Sequence, residues 1–129
     1  TDANTADNNW FNFEGQELGQ YAGEAFSSMA LYLNNNVRVA ARDPLYYRVL
    51  QPSEHHSRVP SKHIYVYSFA NDPEMPGSTG TLNLSRIENT RIDLTFSAAL
   101  PLATEYFIFG RSINVIRVDK GVASLKWSS

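Results

Sequence analysis

The sequence predicts an all-β chain folded as an antiparallel sandwich, and three observations carry that reading. Short runs of alternating apolar and polar residues recur along most of the chain, and turn-forming clusters of Asn, Gly, Pro and Asp separate them. Tyr and Phe number seven each, an aromatic content that suits pleated, half-buried strands. No stretch reads as a helix of average length, about eleven residues, and the alternation of strand and helix that builds parallel sheets is missing. With 129 residues there is material for one core, not two.

Residues 1–25 are rich in Asn, Asp, Gly and Gln, with isolated aromatics at Trp10, Phe11, Phe13 and Tyr21. They are expected to be irregular or linker-like, with aromatics docked on a sheet. Regular alternation begins at Phe26, where Met29, Leu31 and Leu33 interleave with Ala30, Tyr32 and Asn34. Asn34-Asn35-Asn36 breaks the run, because Asn tolerates left-handed turn geometry. Val37 and Val39 around Arg38 then supply the return strand of a hairpin.

Asp43-Pro44 reads as a helix N-cap followed by proline at the first helical position. Leu45 to Leu50 would form one or two turns, stopped by Gln51-Pro52. The polar stretch from there to Pro60, containing Glu54, His55, His56 and Arg58, reads as a loop. His63 to Phe69 is the most pronounced strand pattern, apolar on both faces, and fits an inner strand. The stretch Asn71 to Gly80, with two prolines and two glycines, is a long loop.

Thr81 to Ser85 and Arg91 to Ser97 alternate again, the second with Ile92, Leu94 and Phe96 on one side and Arg91, Asp93 and Thr95 on the other. That pattern belongs to a sheet with one wet face. After a turn at Pro101, Glu105–Phe109 and Ser112–Val118 are β-prone. Asp119-Lys120-Gly121 makes a tight turn, and Val122–Trp127 is the last strand. Long loops between some of these runs suit a jelly roll better than a meander.

Composition narrows the function. The formal charge is −2, and neither end is basic enough to make nucleic acid the main partner. There is no cysteine, hence no disulfide, thiolate nucleophile or cysteine-held metal. No run approaches the roughly 20 apolar residues of a membrane span. Glu54-His55-His56 is the only cluster with the look of a metal or catalytic site. Side chains of adjacent histidines diverge, however, and zinc would need distant carboxylates as well. No serine sits in a nucleophile elbow, and no glycine loop cradles phosphate. Glu88, Asp93 and Glu105 could meet in space, but no spacing rule brings them together. No catalytic residue, metal or cofactor is expected.

The alternative to a structural role is a carbohydrate-binding sandwich, with Tyr46, Tyr47 and Trp127 stacking on sugar rings. Asn83-Leu84-Ser85 matches the N-glycosylation pattern but falls within the strand expected at Thr81–Ser85. Among the arginines Arg86, Arg91, Arg111 and Arg117, Arg86 sits at a strand-to-turn boundary. A guanidinium there can clamp carbonyls or reach a neighbouring subunit.

Four segments, in order, resemble the major capsid proteins of nucleocytoplasmic large DNA viruses of the iridovirus and chlorella virus type. The first is Arg42 to Pro52 with His55-His56 and Val59-Pro60, and the second is His63 to Ala70. The third is Gly77 to Asn89, and the fourth is Ile113 to Val118 with Gly121 to Leu125. The resemblance implies two consecutive jelly rolls per subunit, with residues 26–129 forming the later, C-terminal strands of the second roll and one short helical insert. It implies homotrimeric, pseudo-hexagonal capsomers that tile an icosahedral shell, with minor capsid proteins as further partners. It places the chain in the virion, assembled in the host cytoplasm, with no direct nucleic-acid contact. The signature residues it assigns are Asp43, Tyr47, Gln51, Pro52, His55, His56, Pro60, Tyr65, Tyr67, Phe69, Gly80, Asn83, Ser85, Arg86, Asn89, Arg117 and Gly121, all in structural roles. The loops at Glu54–Pro60 and Asn71–Gly80 are expected to reach neighbours or the shell surface.

Overall fold

The computed structural model describes residues 16–17, 20–21, 23–24, 26–96 and 106–127. Its strands are antiparallel throughout. β1 (Gln16–Glu17) pairs with β2 (Gln20–Tyr21), so the leading segment holds a short ladder where irregular chain was expected. Trp10 and Phe13, expected to dock on a sheet, lie outside the described residues.

The central sheet has the order β4-β3-β5, with β3 (Ser28–Leu33) between β4 (Asn36–Arg42) and β5 (Thr90–Thr95). The β3–β4 hairpin closes where its composition predicts. Asn34 and Asn35 both take positive φ (50° and 63°), the mirror-image two-residue turn that matches strand twist. Register is regular between β3 and β5, with Met29 opposite Leu94 and Leu31 opposite Ile92. Between β3 and β4 it shifts on both sides of Leu31, as at a β-bulge.

The apolar face of this sheet is covered by a helical insert. Tyr46–Leu50 is a π-helical turn that runs directly into α1 (Gln51–His55). The stop expected at Gln51-Pro52 is therefore corrected. Pro52 falls in the first turn of α1, where its missing N–H costs nothing, and the wider π turn before it absorbs the change of pitch. His55 is consequently the last residue of a helix and not part of a loop. The core is small: Phe26, Leu31, Val39 and Tyr47, with Met29, Leu33, Tyr46, Tyr65, Tyr67, Leu94 and Phe96 packed around them.

Among the described residues, three of the expected strands form no ladder, two of them before β5. His63–Phe69 is extended and packed on the insert, yet carries no strand ladder; Val66 N–H donates to Tyr47 O at 3.0 Å. Alternation reported which side chains touch apolar neighbours, but no described strand lies beside its backbone. Thr81–Ser85 is also no strand. Asn83 Oδ1 accepts from Ser85 N–H at 3.0 Å, and this local bond turns Leu84–Arg86 into a single 3-10 turn.

At the C-terminal end, β6 (Ile116–Asp119) and β7 (Val122–Leu125) form a separate hairpin. Its turn repeats the first one, with Lys120 and Gly121 at positive φ (49° and 83°). Of the runs expected before it, 106–109 carries no strand ladder, and Ser112–Val118 pairs as a strand only from Ile116. The fold is thus antiparallel β with a short helical insert, consistent with a jelly-roll-like domain.

Candidate functional site

The helical insert is the joint where separate parts of the chain meet. Asp43 Oδ1 accepts the N–H of Leu45 at 2.8 Å and so starts the insert as its sequence predicts. Tyr47 is fully buried, and its hydroxyl donates to Met29 O of β3 at 2.8 Å. Burial pushes the phenol up to about 12, and the neighbouring Tyr46 and Tyr67 push in the same direction. A buried phenol with one satisfied donor is a structural pin.

Gln51 is buried with both ends of its amide used. Nε2 donates to the Tyr46 hydroxyl at 3.1 Å, and Oε1 accepts Ser68 N–H at 3.2 Å. The extended segment is therefore held to the helix without a strand partner. Pro52 is fully buried beside it. Tyr65 packs on Phe26 with ring centroids 4.6 Å apart, and Tyr67 meets Phe69 edge-on at 5.0 Å.

A charged clamp crosses the same joint. Arg48 donates from Nε (2.9 Å) and Nη2 (2.6 Å) to Glu24 Oε1, and the Tyr65 hydroxyl donates to Glu24 Oε2 at 2.8 Å. One carboxylate thereby links the leading segment, the helix and the extended segment. Sequence reasoning missed both Glu24 and Arg48, since partners 24 and 41 residues apart leave no local signal.

A second group of signature residues orders the long loop. Gly80 has φ 131°, a backbone conformation that residues with a side chain rarely adopt, and this favours glycine there. Asp72 Oδ1 accepts from Glu74 N–H and Met75 N–H, while the Thr79 hydroxyl donates to Asp72 O at 2.6 Å. Asn34, read from sequence only as a turn residue, also receives the N–H groups of Glu88 (2.9 Å) and Asn89 (3.2 Å) on Oδ1. Asn34 N–H in turn donates to Asn89 O at 2.8 Å, which pins the signature turn to the β3–β4 hairpin. Asn83, Ser85 and Arg86 are exposed on that turn, so the glycosylation pattern lies on an exposed turn and not in a strand. Pro60 is half-buried. Arg117 stands far away on β6, 3.6 Å from Asp119, and Gly121 is in the hairpin turn.

Among the described residues no group of three or more His, Asp or Glu could hold a metal ion. Asp93 pairs with Arg91 at 3.0 Å; Glu105, offered as its partner carboxylate, lies outside the described residues. The sugar-stacking triad is corrected as well. Tyr47 has no exposed face; Arg42 lies 5.7 Å from the Tyr46 ring centroid, and Lys126 lies 5.1 Å from that of Trp127, whose ring stays half-exposed. The outer side of the insert is an open groove of about 400 Å³ lined by Asp43, Leu45, Tyr46, Val49, Leu50 and Ser53.

The C-terminal hairpin presents the opposite situation. On its one face Ile116, Val118 and Leu125 are 68%, 69% and 59% exposed, with Ala123 between them. Asn114 fastens its open end, donating to Trp127 O and accepting Trp127 N–H. The two strands pair in register along their whole length, while the apolar face has no cover among the described residues.

The chain is an antiparallel β protein whose C-terminal hairpin leaves its apolar face uncovered among the described residues. The comparisons make the class specific. Residues 1–124 match the family described as large eukaryotic DNA virus major capsid protein, and the chain belongs to that family. It is 35% identical over 102 residues to the major capsid protein of Phaeocystis pouchetii virus, covering 77% of this chain and 20% of that one. The major capsid protein of Pyramimonas orientalis virus is 30% identical over 138 residues, covering 89% and 34%. Among solved structures, a quasi-atomic model of the PBCV-1 virus capsid superposes with a TM-score of 0.66 at 25% identity, over 81% of this chain and 30% of that one. The chain spans about a fifth to a third of the length of these relatives.

Proposed function

We propose that the chain is the later part of a double jelly-roll capsid subunit that assembles as homotrimeric, pseudo-hexagonal capsomers of an icosahedral shell. In this reading residues 26–129 are the C-terminal jelly-roll portion and residues 1–25 lead into it. The signature residues act as joinery: Tyr47, Gln51 and Pro52 fix the helical insert, and Gly80, Asn83 and Asn89 shape the long loop. The observation that carries the reading is the bare apolar face of the β6–β7 hairpin in a chain of this family. Such a face costs about 25 cal/mol per Å² while wet, and further strands of the capsid protein would relieve that cost. The half-exposed Leu45, Val49 and Leu50 add a second apolar surface suited to subunit contact. The loops at Glu54–Pro60 and Asn71–Gly80 reach neighbours or the shell surface, minor capsid proteins are further partners, and assembly takes place in the cytoplasm of the infected cell.

Light scattering and negative-stain imaging of the capsid protein containing this chain test the proposal. A stable trimer with a near-hexagonal outline is expected. A monomer at every concentration, binding glycan instead, would contradict it.

A further inference from the structure

We propose that His55 and His56 form a latch, tightened by protonation, that holds the loop Asn71–Gly80 against the C-terminal end of α1. The inference concerns this chain by itself and stands apart from the capsomer reading. His55 Nδ1 lies 2.8 Å from Asn71 O, and His56 Nδ1 lies 3.2 Å from Glu74 Oε1. A carbonyl and an ionised carboxylate can only accept, so each Nδ1 must carry the hydrogen. Both histidines thus point their other nitrogen, Nε2, away from these bonds. A proton added at Nε2 leaves both hydrogen bonds in place and converts the second into an ion pair.

The loop on the far side of the latch is braced so that it responds as a unit. Asp72 N–H donates to Thr79 Oγ1 at 2.9 Å, the Thr79 hydroxyl returns a bond to Asp72 O, and Asn71 N–H donates to Thr79 O at 3.3 Å. The charged or titratable groups on the helix side are Glu54, His55, His56 and Arg58; on the loop side they are Asp72 and Glu74. Asp72 is already committed to the N–H groups of Glu74 and Met75. The Ser57 hydroxyl and N–H, and then His56, hold the Glu74 carboxyl below the usual carboxylate range.

The direction with pH follows from those groups. Protonation of the imidazole in mildly acidic solution adds charge to the His56–Glu74 bond. The carboxylate's contribution is present above the ordinary carboxylate range and is lost only as pH falls through the lowered Glu74 value. The latch is therefore tightest in mildly acidic solution and looser on either side.

Amide hydrogen exchange on the 129-residue chain tests this, with rates corrected for the intrinsic effect of pH and β3 amides as the reference. Protection of the Asn71–Gly80 amides is expected to rise about two- to five-fold from pH 7.5 to pH 5.5, the range of an exposed ion pair. His56→Asn and Glu74→Gln should each abolish the rise while β3 protection holds. His55→Gln should lower protection at both pH values and keep part of the rise, because the His56–Glu74 pair remains. Equal loop protection at the two pH values in the unmodified chain, or a rise that persists in both His56→Asn and Glu74→Gln, would overturn the latch.

Discussion

The two main hairpins of this chain are built by the same local code and end in opposite circumstances. β3–β4 and β6–β7 both close through a two-residue turn at positive φ, Asn34-Asn35 in one and Lys120-Gly121 in the other. Both carry apolar residues on one face. In the first hairpin Leu31 and Val39 are buried beneath the helical insert; in the second Ile116 and Val118 are more than two-thirds exposed. Hairpin formation thus needs only turn chemistry and alternation, whereas burial needs a partner element. The insert is that partner for β3–β4, and β6–β7 has none among the described residues.

The largest effect should separate the two hairpins outright. Tyr47→Ala removes the ring at the centre of the insert and its bond to Met29 O, and should destabilise the body by about 3–5 kcal/mol in denaturant unfolding. Val118→Ala should leave that transition unmoved. Equal losses from both variants would mean that the hairpin already shares the core.

Tyr47 also predicts an alkaline limit. Its phenol is neutral in the fold and its folded value is raised to about 12, so its contribution is complete below the ordinary tyrosine value and lost as pH rises through about 12. A tenfold change in an ionisation equilibrium corresponds to about 1.4 kcal/mol, so stability measured across this range should fall by on the order of 2–3 kcal/mol. Tyr47→Phe should flatten that particular fall. A smaller loss is expected from Glu24→Gln, which weakens the bonds from Arg48 and Tyr65; thermal unfolding should show about 1–2 kcal/mol. Smallest is Arg117→Ala on the bare hairpin, whose pair with Asp119 is exposed on both sides and should be worth less than about 0.5 kcal/mol.

The same contrast explains what was legible in the sequence. The β3–β4 hairpin, β5, the final hairpin and the start of the insert at Asp43 were all readable, because each is encoded by neighbours in the chain. His63–Phe69 misled, since alternation records burial and cannot show whether a backbone partner lies alongside. Thr81–Ser85 misled because one Asn83 side-chain bond outcompetes a ladder that no neighbouring strand supplies. Gln51-Pro52 looked like a stop because a proline in the first turn of a helix and one after its end share the same letters. The family segments marked Tyr47, Gln51 and Gly80, and the fold shows the bonds of the first two and the positive φ of the third. Glu24, Arg48 and the second task of Asn34 stayed hidden, as each depends on residues far away in the chain.

These 129 residues contain no cysteine, so a thiol introduced into them, read by peptide mapping, tests the central claim directly. Val118→Cys places a single thiol on the apolar face of the β6–β7 hairpin, and Arg117→Cys places one on the opposite face. Maleimide labelling rates would be compared between the isolated 129-residue chain and assembled capsomers. The account predicts fast labelling of Val118→Cys in the isolated chain and strong protection in the capsomer, beyond any change at Arg117→Cys. Undiminished labelling of Val118→Cys in the assembled particle would contradict it.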